Sequence, residues 1–493
     1  MQIVTMICGL ILPRMILVSY GSDVNGLVNS ITQFLSFITL LDGGVGAVIR
    51  AAYYRPMVTH DNDAISGVFA ASNKLYRQIA GIFVIYIGVL AIVFPMITAN
   101  KFGFLYTNVL VIIISLSTFM QYYWGCTLKL LVFSDQKGYL HSITQILTTI
   151  INTVLAVILI KFGAGIHIVK LVAAIAYIIQ PLLLGYYIKK NYKINYRAKP
   201  AMDTLSQRWN ALARHIAFYI HSNTDVAILT LFTNFGVVSI YSVYKIVVNG
   251  LTNLVSGIIG NTEATFGNLL ASEENCKFET EFKSIDILTK YISTICFTTC
   301  TIMLCKFVAI YTNGIIDIDY QRPMFAILLC ASEWIYCMGL NYNNVIISVG
   351  HFKQTTKIAI AEASINVILS VLLVWIFGLE GVVAATCIAM TYKMISNIWY
   401  MNKNVVCVNN AYTVKSIMAS ILSAIVSFFL LGSMLPNVNT YTLFFIEASC
   451  VFIIVAIISI AFDLILCRNE TLMLMRKLIN NILRKTDKKE KQI

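Results

Sequence analysis

The run Ile79-Ala-Gly-Ile-Phe-Val-Ile-Tyr-Ile-Gly-Val-Leu-Ala-Ile-Val-Phe-Pro-Met-Ile-Thr98 carries no charge along twenty residues. At roughly 1.5 Å of rise per residue, a helix of this length spans about 30 Å, the thickness of a bilayer's hydrocarbon core. The rest of the chain repeats the pattern. It has 493 residues, 58% hydrophobic and 12% charged, with a mean hydropathy of +0.78. Ordinary soluble domains are about 45–50% apolar and about 25% charged. A water-soluble globule of this composition would expose large apolar patches, and a disordered chain would be far more polar. Apolar runs broken by polar or glycine-rich punctuation fall at 2–20, 26–53, 79–98, 104–128, 139–160, 167–188, 211–232, 236–271, 284–311, 323–350, 355–377, 380–401, 412–434 and 441–467. The expectation is an all-α polytopic membrane protein of about fourteen transmembrane helices, with little chain left for a soluble catalytic domain. The second and eighth runs exceed a span, and 263–282 reads as projecting amphipathic helix. The apolar start reads as a retained first span.

The positive-inside rule tests the count. With the N-terminus in the cytoplasm, the inner connections and the tail hold twenty-seven Lys and Arg, Lys290 among them, and the outer connections three. One missed helix would swap every later connection, so the asymmetry supports fourteen spans with both ends inside. The net charge of +13 is therefore read as topology rather than as nucleic-acid binding. The basic tail reads as either a helix on anionic lipid or a solvated segment. The twelve Cys contain no C-x-x-C pair and read as small buried hydrophobes, with no disulfide or metal site.

An internal repeat is visible at an interval of 214 residues. Ile151-Asn-Thr-Val-Leu-Ala-Val matches Ile365-Asn-Val-Ile-Leu-Ser-Val, pairing Asn152 with Asn366. Six spans per copy insert both copies the same way up, which implies a pseudo-twofold along the membrane normal, as in parallel-repeat transporters. The expected organisation is an N-lobe over 1–190, a basic inter-lobe loop over 191–210, a C-lobe over 211–403, two extra C-terminal helices over 404–467 and a basic tail over 468–493.

A charge at mid-helix costs roughly 2.5–3.5 kcal/mol on insertion scales, so such residues face a cavity or a partner. Arg14, Arg50, Lys245 and Lys393 are the deep cations; for Arg50 and Lys393 the plainer reading is snorkelling to the headgroups. The deep acids are Asp42, Asp225, Glu333, Glu362, Glu447 and Asp463. Asp42-Gly43-Gly44-Val45-Gly46 marks a bend or a close helix contact. Glu362 and Asn366, four apart, share a helix face. With Asp225 they suit a proton or Na⁺ site, or else structural hydrogen bonds between helices. There is no G-x-x-x-x-G-K-[ST], G-x-S-x-G or H-E-x-x-H, so no ATP motor or common hydrolase motif.

Tyr20-Gly-Ser-Asp-Val-Asn-Gly-Leu-Val-Asn-Ser-Ile-Thr-Gln-Phe-Leu35 and Leu41-Asp-Gly-Gly-Val-Gly-Ala-Val-Ile-Arg50 resemble the opening of bacterial Wzx-like polysaccharide exporters. These belong to the multidrug/oligosaccharidyl-lipid/polysaccharide (MOP) flippase superfamily. Asn223-Thr-Asp225, Val238-Ser-Ile-Tyr-Ser-Val-Tyr244 and Gly350-His-Phe-Lys-Gln-Thr355 extend the resemblance over nearly the whole chain. It implies the MOP exporter fold and a flippase, not an enzyme. The implied substrate is an undecaprenyl-pyrophosphate-linked oligosaccharide crossing the bacterial cytoplasmic membrane for capsule or another surface glycan. The implied partners are this lipid-linked glycan, membrane lipids, and a polysaccharide polymerase or export machinery. Spans one, two, seven and eight would line the cavity, placing Arg14, Arg50 and Lys245 against the pyrophosphate. Related flippases bind Na⁺ between spans seven, eleven and twelve, where this chain has Asp225, Glu362, Asn366 and Thr386. No cofactor is expected beyond Na⁺ or H⁺ as coupling ion. The alternatives are a drug/cation antiporter of the same superfamily, which would keep an acidic cavity, and a membrane-embedded polymerase or glycosyltransferase, which would need reactive groups on a substantial outer loop.

Overall fold

The structure, a computed structural model, describes residues 2–43, 45–98, 101–201, 223–259, 262–271, 275–406, 408–432, 436, 438 and 440–477. Among these the chain is all-α, with no strand. The helices are α1 (Gln2–Tyr20), α2 (Ser22–Ser36), α3 (Val45–Val58), α4 (Asn62–Thr98), α5 (Phe104–Met120), α6 (Cys126–Ser134), α7 (Gly138–Lys161) and α8 (Ile166–Asn191). Then come α9 (Asn223–Phe232), α10 (Phe235–Ile259), α11 (Thr262–Ala271), α12 (Asn275–Tyr311), α13 (Pro323–Ser348), α14 (Phe352–Asn404), α15 (Asn410–Gly432) and α16 (Tyr441–Leu466). In hydrocarbon every backbone N–H and C=O must be paired within its own segment, which is why the apolar runs are helices. Their hydroxyls follow the same rule. Thr153, Ser293, Thr301 and Thr312 each donate to the carbonyl four residues back, at 2.7–2.8 Å, so they add no unpaired donor. Apolar side chains such as Ile85, Trp375, Phe429 and Ile457 stay exposed, as on a surface solvated by lipid tails.

Ten of the helical stretches among the described residues are long and apolar enough to cross a membrane. One of them, α14, is two helices joined at Gly378, where φ is +58°, a backbone region that glycine enters without a Cβ clash. Asn366 donates to Thr386, Ser370 to the Val382 carbonyl, and Lys393 to Glu362. These contacts centre within two residues of Gly378, so α14 is a helical hairpin whose arms are the runs 355–377 and 380–401. The first run is α1. The second is broken: α2 passes through a 3₁₀ turn (Phe37–Leu40) and a bend before α3. α5 and α6 form one span joined by a π-helical turn at Gln121–Gly125. The run 236–271 is helical over the described residues of α10 and α11, and the segment 263–282 falls on α11 and the start of α12; residues 260–261 and 272–274 lie outside the described residues.

The chain forms two compact units. Unit 1 holds residues 1–242 and Gly314–Ile318; unit 2 holds 243–313 and 319–493. Unit 1 is built on a core running from Leu27, Ile31 and Ile49 through Phe83, Phe94 and Leu131. Its helix α2 meets the start of α10 through an unusually close backbone contact at Gly26. Unit 2 has an aromatic core of Phe266, Phe278, Phe282 and Tyr342 and a second apolar cluster that joins α12 to α15 and α16.

One cation does not sit where the sequence suggests. Lys290, read as belonging to a connection, lies inside α12 and is 3% exposed. Its ammonium pairs with Asp286 one turn earlier at 2.6 Å and donates to Ser416 on α15 at 2.8 Å. The apolar run starting at 284 had hidden both charges at its edge.

Candidate functional site

Unit 1 carries a polar seam along α2. Asn25 donates to Ser239 at 2.8 Å and Asn29 to Ser242 at 3.1 Å, both on α10. Ser30 meets Thr230 on α9 at 2.7 Å, and Gln33 donates to Asn223 at 3.0 Å. The residues recur at intervals of one to four along α2, and the outer pairs Asn25–Asn29 and Asn29–Gln33 share one face of that helix. Asn25 and Ser239 are separated by 214 residues, the interval of the sequence repeat. Asp225, buried on α9, accepts from the Tyr241 hydroxyl at 2.9 Å. A buried carboxylate needs such donors to remain in an apolar medium.

The other expected residues of unit 1 are more scattered. Arg14 lies half-buried on α1, one residue after Pro13. Arg50 is exposed on α3. Asp42 accepts from Tyr76 on α4 at 2.7 Å, which fastens the bend between α2 and α3 to a neighbouring helix. Gly43 and Gly46 lie at this bend. Gly44 falls outside the described residues.

In unit 2, Lys245 on α10 is not a bare cation. Its ammonium pairs with Glu333 on α13 at 2.7 Å, and the other Glu333 oxygen accepts from Thr252 at 3.1 Å. Spacing along the chain carried no sign of this partner. The α14 hairpin brings Glu362, Asn366 and Thr386 together. Glu362, 1% exposed, lies 3.2 Å from the ammonium of Lys393. Asn366 donates to Thr386 at 3.0 Å, while its carbonyl oxygen Oδ1 is buried with no hydrogen-bond partner among the described residues. Its repeat mate Asn152 is also buried, and its Oδ1 likewise has no partner among the described residues. Buried amide oxygens are nearly always paired, so each is a place where a water, a proton donor or a hard cation fits. Lys393 therefore does more than snorkel: it supplies the charge that Glu362 needs.

Sequence reading also missed ion pairs made by lysines of α12. Lys306 on α12 meets Glu447 on α16 at 2.7 Å, and Asp286–Lys290 is joined by the Tyr412 hydroxyl, which donates to Asp286 at 3.1 Å. The acid-then-base spacing of four in Asp286–Lys290 is a recognised helical pairing signal. No cluster of His, Cys, Asp or Glu suited to a metal ion occurs among the described residues.

No family model matches this sequence, and no curated protein matches it. Solved structures do match. The lipid II flippase MurJ, in an inward closed conformation, superposes with a TM-score of 0.71 at 14% identity, covering 94% of this chain and 97% of its own. An inward-facing MATE-family multidrug resistance transporter of the MOP superfamily gives 0.62 at 12% identity, covering 80% and 93%. The MATE multidrug transporter DinF-BH gives 0.56 at 16% identity, covering 81% and 92%. The chain is a multi-pass membrane protein with the fold of the MOP superfamily of transporters and flippases.

Proposed function

We propose that this protein is a flippase for lipid-linked oligosaccharides whose headgroup is a pyrophosphate, working by alternating access in the bacterial cytoplasmic membrane. The observation that carries this reading is the extent of the likeness. MurJ covers 94% of the chain and the multidrug transporters 80–84%, and α15 and α16 follow the stretch that we read as two six-span repeats. The cations fit the same substrate. A pyrophosphate carries at least two negative charges and must leave water to cross. Arg grips phosphate oxygens in pairs, and Arg14 on α1 and Arg50 on α3 would serve that task. Lys245 would exchange Glu333 for phosphate, which keeps its charge compensated between transport cycles. The bend at Asp42–Gly46 would act as a hinge.

Complementation of a glycan-export mutant tests this. Arg14→Ala should lower surface polymer and raise inner lipid-linked units, and Arg14→Lys should do so less. Full export by Arg14→Ala/Lys245→Ala at normal protein level, or efflux of cationic drugs with no glycan phenotype, would remove the proposal. The orientation has its own test. A single Cys at Lys193 or Lys403 should react with an impermeant reagent only after permeabilisation, and one at Asn313 should react in intact cells.

A further inference from the structure

Unit 1 has a cleft of about 520 Å³ where the early turns of α4 meet the segment that leaves α8. The segment is built onto its neighbours at several points. Tyr192 donates to the Asp135 carboxylate, and burial together with that acceptor pushes the Tyr192 hydroxyl's pKa up. The Asn195 amide donates to Ser66 at 2.9 Å, and the Ala201 amide to the Gly67 carbonyl at 3.1 Å. The Tyr196 ring packs edge-on against Phe69 at 5.7 Å.

The cleft has two kinds of wall. One is apolar, formed by Phe69 and Tyr196. The other carries Lys74, Arg77, Asn73 and Gln78, with no carboxylate in the lining among the described residues. The nearest acid before it on α4 is Asp63, about 16 Å from Lys74 along the helix. Neither Lys74 nor Arg77 has an ion-pair partner among the described residues. The Arg77 guanidinium lies 5.0 Å from the centre of the Tyr123 ring, which orients it without neutralising it.

Depth decides what reaches this cleft. The uncharged run of α4 starts at Ile79, so Lys74 and Arg77 lie within about 8 Å of the hydrocarbon boundary. That is the level of lipid phosphates. Two cations with no ion-pair partner among the described residues, two carboxamide donors and an adjoining apolar wall match an anionic headgroup with the upper part of its acyl chains. A soluble anion would gain nothing from Phe69 and Tyr196. We propose that this cleft is a binding site for the phosphate of an anionic glycerophospholipid on the basic face of the membrane, apart from the transported substrate. Lys74 and Arg77 hold the phosphate, Asn73 and Gln78 donate to its ester or glycerol oxygens, and Phe69 and Tyr196 cover the chain.

The full-length protein, purified in detergent, would be titrated with phosphatidylglycerol or phosphatidylcholine, and bound lipid counted by native mass spectrometry. Phosphatidylglycerol should bind preferentially. Lys74→Gln/Arg77→Gln should weaken it about tenfold or more, on the scale of two basic contacts to an anionic lipid surface, and leave phosphatidylcholine unchanged. Lys403→Gln/Lys415→Gln, which removes the same charge from unit 2, should change phosphatidylglycerol binding by less than about twofold, because neither residue lines the cleft. Equal losses in both double variants, or no loss in the first, would overturn the site. Displacement of the lipid by millimolar inorganic phosphate would overturn the lipid assignment in favour of a soluble phosphate. The readout is equilibrium binding, so it stands whatever the transport assays show.

Discussion

Asp286 and Lys290 show what a charge costs inside this protein. The side chains are 0% and 3% exposed, and Tyr342, Tyr412 and Ser416 add hydrogen bonds to the pair. A buried pair roughly breaks even against apolar residues, but breaking it leaves one charge without compensation, at about 3–5 kcal/mol. Asp286→Ala or Lys290→Ala should therefore each lower thermal stability sharply in detergent. Asp286→Leu/Lys290→Met should cost less than either single change, and a double variant at the sum of the singles would contradict the account. Individual residues are also where sequence reading reached its limit. That Glu362 and Asn366 share a face follows from their spacing, but Lys393 and Lys245 find Glu362 and Glu333 across helix packing that no local pattern encodes. Lys290 was misplaced because the apolar run starts only a few residues earlier, so the charge looked like its boundary.

Among the elements, the apolar runs were legible because lipid imposes one solution on the backbone. What they could not show was how the helices are broken. The π-helical turn between α5 and α6 interrupts a stretch that hydropathy alone reads as one span. Gly26 on α2 shows how tightly neighbouring helices pack. A Cβ built there would lie 1.8 Å from the Phe235 carbonyl oxygen at the start of α10. Backbone cannot yield as a flexible side chain does, so Gly26→Ala should cost at least about 3 kcal/mol, above the usual range for overpacking. Gly88→Ala on α4 is the matched control, because nothing lies within 4 Å of its Cβ position. There the helix gains intrinsic propensity, and stability should hold or rise. Comparable melting temperatures for the two variants would mean that α2 and α10 are not held at this distance in the protein.

For the molecule as a whole, we propose that an ion gradient biases one conformation, and an ion biases an equilibrium only by binding its states unequally. We propose the α14 hairpin as that element, with Glu362, Asn366 and Thr386 as ion ligands. Asp225, on α9 of unit 1, is held by Tyr241 and is the second carboxylate whose neutralisation should blunt the ion response. The unpartnered Asn366 Oδ1 supplies a neutral oxygen on the face that Glu362 shares. Lys393 already occupies the charge-compensating place, so a proton or Na⁺ would have to compete with an ammonium. Two substitutions then move the ion response in opposite directions. Glu362→Gln keeps the shape, removes the anion and should abolish stimulation of transport by an imposed gradient, leaving lipid binding intact. Lys393→Met removes the competitor, so half-maximal stimulation should fall to an ion concentration at least about tenfold lower, the equivalent of losing a contact of about 1.4 kcal/mol. Lys393 is only partly buried and its helix is otherwise largely apolar, so the methionine is compatible with the fold. A purely structural pair would instead give lower protein levels in both variants, with the same ion dependence in whatever protein remains. That result, in reconstituted vesicles under H⁺ and Na⁺ gradients applied separately, would place the coupling site elsewhere.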